Sequence, residues 1–113
     1  MDSIPFKLPD VGLSEVQGYL YFEEEFLVFD VETALFGEFN GEEQTIKIEP
    51  KAIVELEFEK GVFKDKLCVR PKKRDLLKAM PGSFEDEIKL RVAHKHRGKV
   101  HRLIKEFNKR VSD

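Results

Sequence analysis

The residues best suited to recognition or catalysis fall into a few groups. The densest positive run is Arg70-Pro71-Lys72-Lys73-Arg74. On a loop, Arg70, Lys72, Lys73 and Arg74 suit either a landing site for an anionic surface (acidic lipid head groups, nucleic acid or an acidic protein) or, more simply, a solvated loop balanced by Asp75 and the acidic half of the chain. No aromatic residue interleaves with them, as a platform for single-stranded nucleic acid requires. His94, His96 and His101 invite a metal, but no Cys, Asp or Glu nearby has the spacing of a closed zinc site. They read as solvated residues at a strand-to-helix junction. Cys68 is the single cysteine, with no partner for a disulfide and nothing in sequence to activate a thiolate. Glu55, Glu57 and Glu59 alternate like the solvent face of a strand. Acid–base chemistry would need a cleft and a raised pKa, and neither is implied. Gly37 and Gly41 lie among glutamates, which suits a loop and not a phosphate cradle. No catalytic set, metal site or cofactor emerges, so the chain reads as a non-enzyme.

The elements that position these residues follow from hydrophobic period. Residues 1–13 carry Pro5, Pro9 and Gly12 and read as an irregular segment laid against a single domain at 14–113. Alternation predicts strands at 16–22 and 26–33, the second apolar on both faces over its first half and so covered on both sides. Further strands are expected at 45–49, with Ile46 and Ile48 inward, and at 52–59, with Val54, Leu56 and Phe58 inward. Lys47 is placed to pair across the ladder with the 55–59 carboxylates. Residues 66–70, a short sixth strand at Leu76 and Leu77, and 87–93 complete the set. Val100, Leu103, Ile104, Phe107 and Val111 then fall at i, i+3, i+4, i+7 and i+11, one face of a helix over 97–111.

Composition bounds the rest. The 113 residues suffice for one core, and the ten Phe and 41% hydrophobic content would fill it. No apolar run approaches the length of a membrane span, and the N-terminus lacks a signal peptide's basic and apolar regions. A cytoplasmic location is the expectation. The net charge is −2, but residues 1–60 carry 15 acidic and 4 basic side chains, and residues 61–113 carry 7 and 16. Such a split can steer a charged partner or favour self-association.

Seven short strands in hairpin rhythm followed by one amphipathic helix resemble a pleckstrin-homology-like domain of the bacterial and GRAM-like kind. The segments that carry the likeness are the tight turn at Glu23, Glu24 and Glu25, the strand Phe26-Leu27-Val28-Phe29-Asp30, the strand Ile53-Val54-Glu55-Leu56-Glu57-Phe58, and Gly61-Val62-Phe63 leading into Lys66-Leu67-Cys68-Val69-Arg70. The resemblance implies a mainly β fold with one C-terminal α-helix. Seven antiparallel strands would form a partly open barrel of two near-orthogonal sheets, capped by the helix. It also implies a binding or assembly module. Read on that pattern, the first hairpin would be tipped by three carboxylates, which argues against the usual phosphoinositide site. The expected function is a non-catalytic interaction module that binds protein partners or itself. The alternative is binding of acidic lipid or nucleic acid through the 70–74 loop.

Overall fold

A computed structural model describes residues 3–8, 14–35, 43–73, 75 and 87–112. Seven strands form one antiparallel sheet: β1 (Ile4–Lys7), β2 (Ser14–Glu23), β3 (Phe26–Leu35), β4 (Glu43–Ile48), β5 (Ile53–Glu59), β6 (Asp65–Pro71) and β7 (Ile88–Val92). One helix, α1 (Arg97–Val111), follows a 3-10 turn at His94–His96. Its bounds match the stripe read from the sequence. None of the described helices is long and apolar enough to cross a membrane.

The strand order is β4-β3-β2-β1-β7-β6-β5. The sheet is two meanders joined through β1, and its outermost strands are β4 and β5. Yet β4 and β5 are consecutive in the chain, linked only by Glu49 and a 3-10 turn at Pro50–Ala52. Five residue steps reach at most about 18 Å, whereas six interstrand gaps in a flat sheet span about 29 Å. The sheet must therefore curl until its two edges approach, although β4 and β5 do not pair. Lys47 consequently lies opposite Val28 and not beside the glutamates of β5, against the sequence expectation.

Two further expectations are corrected. Residues 4–7, read as irregular, form the strand that unites the meanders. Ile4 and Phe6 alternate into the core at 1% and 3% exposure, and Pro5 hid the pattern. Leu8 N–H donates to Val16 O, so by alternation residues 4, 6 and 8 bond towards β2 and residues 5 and 7 towards β7. The β1–β7 register contains only Lys7 opposite Arg91, so the N–H that Pro5 lacks has no partner to miss. In β5, the register shifts between Ile53 and Glu55. This bulge buries Ile53 and turns Val54 out to solvent, reversing the inward placement expected for Val54. The expected strand at Leu76 and Leu77 lies outside the described residues.

The core fills the concave side of the curled sheet. Leu20, Leu27, Phe29, Leu67, Leu90 and Leu103 are wholly buried in one cluster. From α1, Val100, Leu103 and Phe107 enter it, with Ile104 and Val111 packed at its margin. Each fully buried side chain of this size contributes about 1.5–3 kcal/mol. Val28 is also wholly buried, on the opposite face of β3, as a doubly apolar strand requires. Gly18 permits the tight crossing at β2: a Cβ there would stand 2.0 Å from Asp30 O and 3.0 Å from the Phe6 ring.

Polar anchors hold both ends of the helix, one on each meander. At its start, Arg97 Nε donates to Asp65 Oδ2 at 2.7 Å and Arg97 Nη2 to Asp65 Oδ1 at 2.9 Å. At its end, Arg110 Nη1 donates to Glu24 O at 2.6 Å, and its guanidinium lies 4.2 Å from the Phe22 ring centroid. Glu24 occupies a left-handed conformation, φ 56, in the two-residue turn between β2 and β3.

Candidate functional site

Arg70 is bound by two carboxylates: its Nη1 donates to Glu55 Oε1, and its Nη2 donates to Glu87 Oε2 at 3.2 Å. Those bonds raise its pKa and occupy the charge that an external anion would need. Lys72 and Lys73 are exposed. Arg74 lies outside the described residues. The three histidines face three environments. His94 Nε2 lies 3.5 Å from Asp65 Oδ1, His96 lines a groove, and His101 meets the Phe58 ring edge-on at 5.4 Å. Burial pushes the Cys68 thiol up, with help from Glu59, Glu87 and Glu57, which keeps it protonated.

The carboxylate-tipped turn also takes a new place. Because β1 precedes it, Glu23, Glu24 and Glu25 lie on the second hairpin of the chain, not the first. The first hairpin closes through residues 8–13, of which 9–13 lie outside the described residues. The charge argument against a phosphoinositide site at the first hairpin therefore does not apply there.

The sheet register assembles a site that sequence proximity did not reveal. Reading straight across the seven strands, Glu43 lies opposite Glu32, Glu32 opposite Gln17, and Gln17 opposite Lys7. Lys7 is opposite Arg91, Arg91 opposite Lys66, and Lys66 opposite Glu59. Directly paired residues project from the same face, with side chains about 5 Å apart. The row thus runs acid, acid, amide, base, base, base, acid. Gln17 Nε2 donates to Glu32 Oε2 at 3.5 Å. Among the described residues, Lys7, Lys64, Lys66 and Arg91 have no carboxylate within ion-pair distance. Like charges facing each other across a ladder are unfavourable, and Lys7, Arg91 and Lys66 stand side by side, with Glu59 opposite Lys66 as the one acid directly beside them in the row.

An open groove of about 830 Å³ lies over the middle of this row. Glu15, Glu32 and Glu43 line one wall, Lys7, Lys64 and Arg91 the other, and Tyr19, half-exposed at 51%, the floor. Asp30 in the same groove accepts from Tyr21 Oη at 2.6 Å and Thr45 Oγ1 at 2.8 Å. That hydrogen bond, with burial and the carboxylate's charge, pushes the Tyr21 phenol up to about 12. Tyr21 is thus held as a protonated donor, and Asp30 is positioned by two hydroxyls. The groove offers fixed charges of both signs and an aromatic face.

The β5–β6 loop stands at its basic wall. Val62 and Phe63 are 85% and 89% exposed, flanked by Lys60 and Lys64. The loop is firmly held at its base. Asp65, fully buried, accepts from Gly61 N–H at 3.1 Å as well as from Arg97. Arg97 holds the Asp65 carboxyl at about 2, overcoming the opposite effect of burial. A Cβ at Gly61 would meet Lys64 O at 2.1 Å, so the turn is too tight for any other residue without movement. The clue in the sequence was a Val-Phe pair in a charged turn, where a hydrophobic residue has no core to enter.

Comparison with protein-family models, with curated proteins and with solved structures finds no match to this chain.

Proposed function

We propose that the protein is a non-catalytic interaction module that binds a protein surface through the two-signed groove. The observation that carries this reading is the charge row, in which Lys7 and Arg91, with no carboxylate in ion-pair distance among the described residues, share a face with Glu32 and Glu43. A polypeptide, which carries charges of both signs along its length, complements both walls; a purely anionic surface complements one. Electrostatic pairing of this kind sets orientation and encounter rate, while Tyr19 supplies the rigid aromatic contact common at interface centres. The 70–74 loop supports an anionic-surface role less well, because Arg70 is already bound to Glu55 and Glu87.

The reading extends to fold. The order β4-β3-β2-β1-β7-β6-β5, with two meanders joined through β1 and a terminal helix anchored to both, supports a pleckstrin-homology-like barrel of two near-orthogonal sheets. Fold analogy does not itself assign a partner, so the functional reading rests on the groove.

Cross-linking of the tagged protein in its own cell extract, with native mass spectrometry of the purified chain, tests it. The expected result is a protein complex, with a partner or with itself, that weakens as salt rises and is lost in a Lys7→Glu, Arg91→Glu double variant that keeps the wild-type circular dichroism. A chain that remains alone in both experiments, or a complex indifferent to the double variant, overturns the reading.

A further inference from the structure

The groove and the exposed Val62–Phe63 tip lie side by side, and their charges are opposite. The tip carries Lys60, Lys64 and Lys66, and the far wall of the groove carries Glu15, Glu32 and Glu43. We infer that the occupant of the groove is a second copy of this chain, docked about a two-fold axis so that each copy's Phe63 tip packs on the acidic side of the other's groove. This deepens the proposed interaction role and rests on it.

Three observations support the choice of a second copy. First, the row is self-complementary. Turned by 180° about an axis through Gln17, its acid end, Glu43 and Glu32, faces Arg91 and Lys7 of the other copy, and the reverse contact forms simultaneously. A two-fold interface requires one patch to complement itself, and few charge patterns do. Second, the apolar tip is presented beside the groove but not in it: Phe63 at 89% exposure makes no use of its own chain's cavity. Third, the loop is held in shape before docking. The bonds from Gly61 and Arg97 to buried Asp65 fix its base, so little ordering entropy remains to oppose association. Lys7 and Arg91, which repel one another in the isolated chain, would each gain a carboxylate in the pair.

Charge-reversal mixing, read by analytical ultracentrifugation, tests the inference. The wild-type chain should dimerise, with a dissociation constant that rises roughly tenfold or more between about 0.05 and 0.5 M salt. A Glu32→Lys, Glu43→Lys variant turns the acid end of the row basic, and a Lys7→Glu, Arg91→Glu variant makes its centre acidic. Each alone should be monomeric, and an equimolar mixture should form the heterodimer, which also proves that both variants fold. Phe63→Asp should weaken the wild-type dimer by roughly tenfold or more. A wild-type chain that is monomeric at low salt, variants that fail to pair when mixed, or a dimer unaffected by Phe63→Asp overturns the inference. So does Phe63-dependent binding to phosphatidylserine vesicles by a chain that stays monomeric, which would assign the tip to a lipid surface. If the chain is monomeric but still captures another protein through Lys7 and Arg91, the broader interaction role stands and only the self-pairing falls.

Discussion

Two sets of cations in this protein have opposite fates. Arg70, Arg97 and Arg110 are each bound within the fold: to Glu55 and Glu87, to buried Asp65, and to the Glu24 carbonyl and the Phe22 ring. Lys7, Lys64, Lys66 and Arg91 face outward with no described carboxylate in reach. The bound set consists of arginines, whose planar fork can hold two acceptors at once. The outward set consists mostly of lysines, spread over 85 residues of sequence and gathered by strand register. Density of charge along the chain is therefore a poor guide to availability. The 70–74 run is the densest cluster in sequence, and its first member is committed internally.

This contrast predicts that removing a bound cation destabilises and removing an outward one does not. The largest effect belongs to Arg97→Leu, which abandons the Asp65 carboxylate in the interior. At neutral pH the melting temperature should fall by roughly 10 °C. The pH dependence should also change. In the wild type, Asp65 is depressed from 3.8 to about 2, so its stabilisation is complete above the unfolded-state value and is lost as pH falls through that window. Without Arg97, burial is opposed only by the Gly61 N–H bond and the nearby His94, so the carboxyl rises relative to the wild type and the variant's deficit should narrow as pH falls. Thermal melts from pH 2 to 7 would read both effects, and a deficit independent of pH would break the assignment of Arg97 to Asp65.

Arg110→Gln should have a smaller effect, about 1 kcal/mol, through loss of the contact with the Phe22 ring and the bond to Glu24 O. Urea denaturation would measure it, and no change would mean that the helix end is held by its apolar stripe alone. The smallest effect has the opposite sign. Lys7→Gln relieves the repulsion with Arg91 and should stabilise the monomer by about 0.5 kcal/mol at low salt, fading at high salt. Denaturation of dilute protein at two salt concentrations would show it. A destabilised Lys7→Gln would mean that Lys7 has an internal role.

Much of the architecture was legible locally. The helix was readable because its five apolar residues share one face over about three turns, a pattern no strand imitates. β2, β3, β6 and β7 were readable because each alternates over a buried face. β1 was missed because four residues interrupted by a proline carry too little pattern; only its position between two meanders makes Phe6 and Ile4 core residues. Val54 was misplaced because a bulge shifts alternation by one residue, and a bulge leaves no mark in hydrophobic period. Val62 and Phe63 were visible in sequence, but their exposure was not, since apolar residues near a turn more often fold back.

The chain's local pattern settled the helix and β2, β3, β6 and β7, with the inner face of each, because period and turn chemistry act over a few residues and burial rewards them wherever they are placed. It also fixed the imbalance of charge between the two parts of the chain. Tertiary structure alone decided which charges meet. Lys7, Arg91 and Lys66 become neighbours because β1 pairs with β7 and β7 with β6 in one register, and a slip of a single residue would send them to opposite faces. Pairing between distant strands is a cooperative property of the whole sheet, so the groove and its two charged walls exist only once the sheet has curled around its core.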